Sequence, residues 1–140
     1  SEGALYNIGI SAALAICRGL LRPGGYLAFT DAVWRAENPP PAVRASFDLD
    51  YPDMGWVKDV LSQIFDSGLD LVGHFTLPDA AWWDDFYTTM EIRIAALQRE
   101  YKDDHEAMAI LDQLAEEPAM HRRYGSYYAY EFFVVQRPLI

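Results

Sequence analysis

Cysteine is nearly absent from this chain: Cys17 stands alone among 140 residues. It cannot close an internal disulfide, which points to a reducing, cytoplasmic compartment. Basic charge is also scarce, with 11 Lys and Arg against 21 Asp and Glu, for a formal net charge of -10. Affinity for phosphate backbones comes from clustered Lys and Arg, so no nucleic-acid partner is expected. The one tight basic pair, Arg122-Arg123, reads as a solvated helix face. Long apolar runs are missing too. Gly3 to Cys17 holds no charged residue, but Asn7 and Ser11 interrupt it, Arg18 follows, and Glu2 stands where a signal sequence would be basic. A span needs about 20 apolar residues, so no membrane partner is expected.

The motifs that announce common chemistries are lacking as well. There is no Gly-x-Gly-x-x-Gly and no Gly-x-x-x-x-Gly-Lys, so no phosphate cradle can be assigned. His105-Glu106 begins like a zinc helix, but Ala109 occupies the place of the second histidine, and His74 and His121 lie far off; no metal site is expected. No serine sits in a nucleophile elbow. Cys17 lies in an apolar helix without a neighbouring base and reads as packing.

What is present is a globular α/β pattern, with four Trp, nine Tyr and seven Phe spread from end to end. Leu5, Ile8, Ala12, Ile16 and Leu20 recur at helical spacing, predicting one helix over residues 5–21 with that face inward. Pro23-Gly24-Gly25 ends it, and Tyr26 to Thr30 reads as a short strand covered on both faces. Residues 34–46, with Pro39-Pro40-Pro41, predict an extended crossing. Asp53 is the expected N-cap of a helix that Gly68 stops, followed by a strand over 69–77. A long helix over 79–101 comes next, then one over 104–116 broken by Pro118, a short one over 120–124, and a last strand over 128–136. The chain divides into a sheet with flanking helices (1–78 and 128–140) and an inserted helical cap (79–127).

Asp31 is set at the end of a buried strand, and in open α/β sheets ligands bind beyond the carboxyl ends of strands. A structural hydrogen bond is its other reading. Trp82, Trp83 and Tyr87, with Phe86, are candidates to line an aromatic pocket, or else belong to a helical core.

Glu2-Gly3-Ala4 before the helix, Leu20-Leu21-Arg22-Pro23-Gly24-Gly25-Tyr26-Leu27 turning into a strand, and the closing YAYEFFVVQRP, in this order and spacing, resemble the carboxyl-terminal half of a class I S-adenosylmethionine-dependent methyltransferase. The likeness is to the small-molecule type related to the ubiquinone and menaquinone methyltransferases, and it covers nearly the whole chain. The resemblance implies the carboxyl-terminal part of a Rossmann-like sheet: residues 1–3 as the tail of its fourth strand, 26–31 as the fifth, 69–77 as the sixth and 129–136 as the antiparallel seventh, lying between the fifth and sixth. It implies Ser1, Glu2 and Gly3 beside the cofactor, Glu2 as catalytic base or acceptor-orienting group, and Tyr6, Asn7, Asp31, Trp34, Trp82, Trp83 and Tyr87 around a small-molecule methyl acceptor. A carboxylate before a helix also interacts favourably with its dipole, which is the other reading of Glu2.

The glycine loop and the ribose-binding acidic residue of that family are not among residues 1–140. The expectation is therefore an acceptor side without a donor side, with S-adenosylmethionine the cofactor of the whole protein and not bound by this chain alone. A sheet cut beside its fifth strand should dimerise or swap elements. The rival expectation is a non-catalytic acidic α/β module that binds a partner protein, which predicts a closed, fully paired sheet.

Overall fold

The computed structural model describes residues 1–140. Residues 1–77 with 126–140 form one compact unit, and residues 78–125 a second.

In the first unit the expected helix over 5–21 is two pieces. Leu5–Ile8 is a single 3-10 turn, and helix α1 (Ile10–Leu20) begins after Gly9. Gly9 has φ +84°, a conformation other residues adopt only with strain. The break frees α1 from the phase of the turn before it. It buries Ile10, Ala13 and Leu14 and leaves Ile8, Ile16 and Leu20 exposed, so the face read from the sequence points outward. Both stripes are apolar; packing chose the other one.

Strand β1 (Tyr26–Trp34) runs four residues past the expected end. Asp31 therefore lies inside the strand and not at its tip, and Tyr26 is exposed where a covered position was expected. Residues 34–46 are not one extended crossing, because helix α2 (Pro41–Asp50) starts within them. Pro41 takes the first helical position, where the missing N–H costs nothing and the fixed φ helps. Helix α3 (Val57–Asp66) is not capped by Asp53. The Trp56 amide donates to Asp59 Oδ2 at 2.7 Å, and Gly68 at φ +71° closes the far end.

Strands β2 (Asp70–Thr76) and β3 (Tyr128–Gln136) complete a three-stranded sheet of order β1-β3-β2. Both pairings are antiparallel, with Phe29 opposite Phe133 and Asp31 opposite Glu131. The order is the expected one, with β3 between the other two. At the outer edge of β1 two short parallel bridges form, Glu2 with Thr30 and Trp34 with Trp56. The core lies between one face of the sheet and helices α1 and α3: Ile10, Leu14, Phe29, Val33, Val60, Ile64, Leu69, Phe133 and Val135. The Phe29 and Phe133 rings stack at 5.1 Å. Each such fully buried side chain contributes roughly 1.5–3 kcal/mol.

The second unit is helical. Helix α4 (Ala80–Trp82) passes through a π turn, Trp83–Tyr87, into α5 (Thr88–Glu100). Helix α6 (His105–Tyr124) is continuous, correcting the expected break at Pro118. A proline inside a helix forfeits a hydrogen bond at about 3 kcal/mol. Here Pro118 is buried, and intact turns continue on both sides. Asp104 accepts from the amides of Glu106 and Ala107 at 3.1 and 3.0 Å, and Arg122 grips Glu91 with two bonds of 2.8 Å. No helix of the chain is long and apolar enough to cross a membrane.

Candidate functional site

Ser1, Glu2 and Gly3 lie along the edge of β1. The Ser1 amino group donates to the Ala28 carbonyl at 2.9 Å, the Thr30 amide donates to the Ser1 carbonyl at 3.0 Å, and the Gly3 amide donates to Thr30 Oγ1 at 2.8 Å. Gly3 has φ +53°, and a Cβ there would meet the Tyr130 hydroxyl at 2.9 Å. Only glycine fits that approach. Glu2 is exposed and sits level with Thr30, one residue from Asp31.

Asp31 is the unusual group. It is 1% exposed, on the core face of β1. Its Oδ2 accepts a 2.9 Å hydrogen bond from the Tyr51 hydroxyl, while Oδ1 is sealed from solvent and meets no donor at bonding geometry. Burial pushes the carboxyl up to about 6; the Tyr51 hydroxyl and then the Ala32 amide pull it partly back. The Tyr51 phenol is pushed upward in turn, first by burial and then by the negative charge of Asp31. Directly opposite residues of an antiparallel pair share a face, so Glu131 stands beside Asp31. Glu131 is 3% exposed and fully engaged: Oε1 meets His74 Nδ1 at 2.5 Å and Oε2 accepts from Thr76 Oγ1 at 2.6 Å. A polar row thus crosses all three strands, next to the Phe29–Phe133–His74 row.

Tyr51 stacks on Tyr6 at 4.7 Å between ring centroids. Both rings line an open cavity of about 400 Å³ whose wall also carries Asp50, Asp53 and Gln63. The site therefore joins the start of α1, the loop after α2 and the middle of β1. Asn7 spends its side-chain amide locally, donating to the Ala4 carbonyl at 3.0 Å. Trp34 is 3% exposed, edge-on to Phe47 at 5.4 Å and beneath the Arg44 guanidinium at 4.8 Å. It is packed into the first unit and not set in the cavity wall.

Trp82, Trp83 and Tyr87 gather in the second unit around His121, at 4.5, 5.8 and 5.2 Å between ring centroids. His121 is buried and bonded through Nε2 to Asp79 Oδ1 at 2.9 Å. Tyr87 donates to Glu117 Oε1 at 3.0 Å. The sequence reading missed Tyr51, Glu131 and His121. Tyr51 was findable, as an aromatic beside Pro52-Asp53 in a turn. Glu131 lies in the apolar strand YAYEFFVVQ, where a lone carboxylate is the signal of a buried pair.

The sequence matches no protein-family model and no curated protein. The fold does have likenesses among solved structures. A S-adenosylmethionine-dependent methyltransferase from Geobacter sulfurreducens, in complex with S-adenosyl-L-homocysteine, is 22% identical at TM-score 0.75, with 96% of this chain covered and 55% of that one. Phosphoethanolamine N-methyltransferase 2 of Haemonchus contortus, in complex with S-adenosyl-L-methionine, is 11% identical at TM-score 0.74, with 99% and 32% covered. The (4+2)-cyclase SpnF is 15% identical at TM-score 0.67, with 100% and 48% covered. The chain spans about half the length of the first and last of these. At such identities the likeness is one of fold alone: an α/β arrangement of sheet and helices shared with a part of each of these structures.

Proposed function

We propose that these residues form the acceptor side of a S-adenosylmethionine-dependent methyltransferase that acts on a small molecule. The observation that carries the reading is the parallel bridge of Glu2 to Thr30, which lays residues 1–3 beside β1. On this reading residues 1–3 end the fold's fourth strand, β1 is its fifth, β2 its sixth and β3 its antiparallel seventh. The likeness to methyltransferase structures over 96–99% of the chain supports it. The open outer edge of β1, bridged at only two points, also supports it over a self-sufficient binding module, which needs a closed sheet.

The residues present fit the acceptor and not the adenosine of the cofactor. The turn of Pro23-Gly24-Gly25 leads from a helix into a strand, whereas a nucleotide cradle leads from a strand into a helix N-terminus. S-adenosylmethionine supplies the methyl group in such an enzyme. The task left to this chain is to hold and align the acceptor, and alignment alone can supply roughly 7–11 kcal/mol of a barrier. Glu2, exposed beside Thr30, is placed to orient the acceptor or take its proton. Tyr6 is linked to Asp31 through Tyr51, and Ser1 and Gly3 run along the edge of β1. Trp82, Trp83 and Tyr87 belong to the inserted helical unit, which this reading assigns to acceptor binding, and the single Cys17 fits a cytoplasmic enzyme.

Calorimetric titration tests the reading. The 140-residue chain should bind S-adenosylmethionine only at millimolar levels or not at all, because small-ligand affinity scales with the number of contacting atoms. A chain extended upstream through a glycine loop should bind it, and Glu2→Gln in that protein should lower turnover more than cofactor affinity. Micromolar binding at one site by residues 1–140 would overturn the assignment of an acceptor side. A cyclase shares the fold, so turnover of the extended chain must be read as methyl transfer and not inferred from binding.

A further inference from the structure

We infer that the cavity beside Tyr6 and Tyr51 takes a protonated amine, with the Tyr51 hydroxyl oxygen accepting from the ammonium and Asp31 holding that hydroxyl from beneath. The inference rests on the acceptor-side reading and names the cationic group by which the acceptor is held; an ammonium has no lone pair to take a methyl group, so the atom methylated is another one of the same molecule.

The chemistry follows from which atom is committed where. Tyr51 has one hydroxyl proton, and it is spent on Asp31 Oδ2 at 2.9 Å. What the hydroxyl retains is lone-pair capacity, so towards the cavity Tyr51 can only accept. A ligand at that point has to donate. Asp31 lies behind the phenol, 1% exposed, with Oδ1 unbonded, and its charge is compensated by no cation at bonding distance. The carboxyl of Glu131, its cross-strand neighbour, is already engaged by His74 and Thr76. The stacked faces of Tyr6 and Tyr51 and the carboxylates of Asp50 and Asp53 complete a wall that favours a cation with some apolar surface. A neutral alcohol could donate the same hydrogen bond but would leave the Asp31 charge uncompensated.

Linkage gives the inference its numbers. A cation that binds more tightly when Asp31 is ionised must lower the proton affinity of Asp31 by the same factor. Groups facing Asp31 or the cavity are Tyr51, Tyr6, Asp50, Asp53, Glu131 with its partner His74, and Glu2 on the neighbouring bridge. Asp50 and Asp53 are exposed. Asp31, lifted to about 6 by burial, has its midpoint between pH 5 and pH 7.5, and a variant at Asp31 isolates its part.

The test is an aromatic NMR titration of the 140-residue chain with benzylamine, and in parallel with benzyl alcohol. It contains no S-adenosylmethionine, so its outcome is distinct from that of the cofactor titration. Benzylamine should shift the Tyr6 and Tyr51 ring signals saturably, about fivefold more tightly at pH 7.5 than at pH 5, and should lower the Asp31 midpoint by about one pH unit. Asp31→Asn should remove that pH dependence while His74 remains. Tyr51→Phe keeps the stack on Tyr6 and should lose about fivefold or more in affinity. Benzyl alcohol binding as tightly as the amine would overturn the inference. So would pH-independent amine binding, or an Asp31→Asn variant with the wild-type pH profile.

Discussion

Burial lifts the Asp31 carboxyl to about 6 from its ordinary 3.8, so the folded chain keeps a proton there over a range in which the unfolded chain has released it. The native state then binds more protons than the unfolded state between about pH 4 and 6, and stability falls as pH rises through that window. A shift of about two units corresponds to ~3 kcal/mol, fully present below pH 4 and lost above pH 6. In Asp31→Asn this contribution is absent. Urea unfolding of the two proteins should therefore give stabilities that diverge by up to ~3 kcal/mol between pH 4 and pH 7, with the variant gaining at neutral pH. Parallel curves would show that Asp31 is not a buried carboxylate. The sequence marked Asp31 as a site but could not show its partner. A carboxylate in a mostly apolar strand is legible as an anomaly, whereas the phenol twenty residues on that answers it is a fact of tertiary packing.

Helix and strand boundaries show the same division between local signal and packing. Strand β3 was readable to the residue, because aromatic and β-branched side chains fill it and no competing helical stripe exists. Helix α2 was hidden by Pro39-Pro40-Pro41, since a proline run suggests extended chain although its last member can open a helix. Pro118 misled in the same way, as the penalty for an interior proline says nothing of what its burial returns. Gly9 decided the most consequential boundary, because it resets the phase of α1 and so selects Ile10, Ala13 and Leu14 for the core. A methyl group added at Gly9 meets nothing within 4 Å, so Gly9→Ala isolates the backbone term. At φ +84° that term should cost ~1–2 kcal/mol. Gly73 is equally open but without a left-handed backbone. Gly73→Ala should leave stability unchanged or raise it by up to ~1 kcal/mol. Thermal unfolding of the pair checks this, and a Gly9→Ala variant no less stable than the parent would mean that the turn at Leu5–Ile8 can merge into α1.

On the scale of the whole molecule, the first unit presents two sheet edges and a scattered apolar surface. The outer edge of β1 is bridged by residues 1–3 and by Gly55–Trp56, and β2, last in the order β1-β3-β2, has no strand beyond it. Leu71, Val72 and Phe75 on β2 are exposed, as are Ile16 and Leu20 on α1 and Phe65 on α3. An unpaired strand carrying apolar side chains offers backbone donors and acceptors together with surface to bury, the combination that drives strand addition between chains. The net charge of -10 opposes association at long range, but salt screens it beyond about 8–10 Å. We expect chains of these 140 residues to dimerise or exchange elements at high micromolar concentration, more strongly as salt rises. Light scattering at low and at physiological ionic strength measures this. Val72→Lys, which places a charge on the exposed edge strand, should shift the population towards monomer if β2 is the joining edge and leave it unchanged if β1 is. A monomer throughout the concentration series would show that residues 1–3 and the Trp56 bridge suffice to close the sheet.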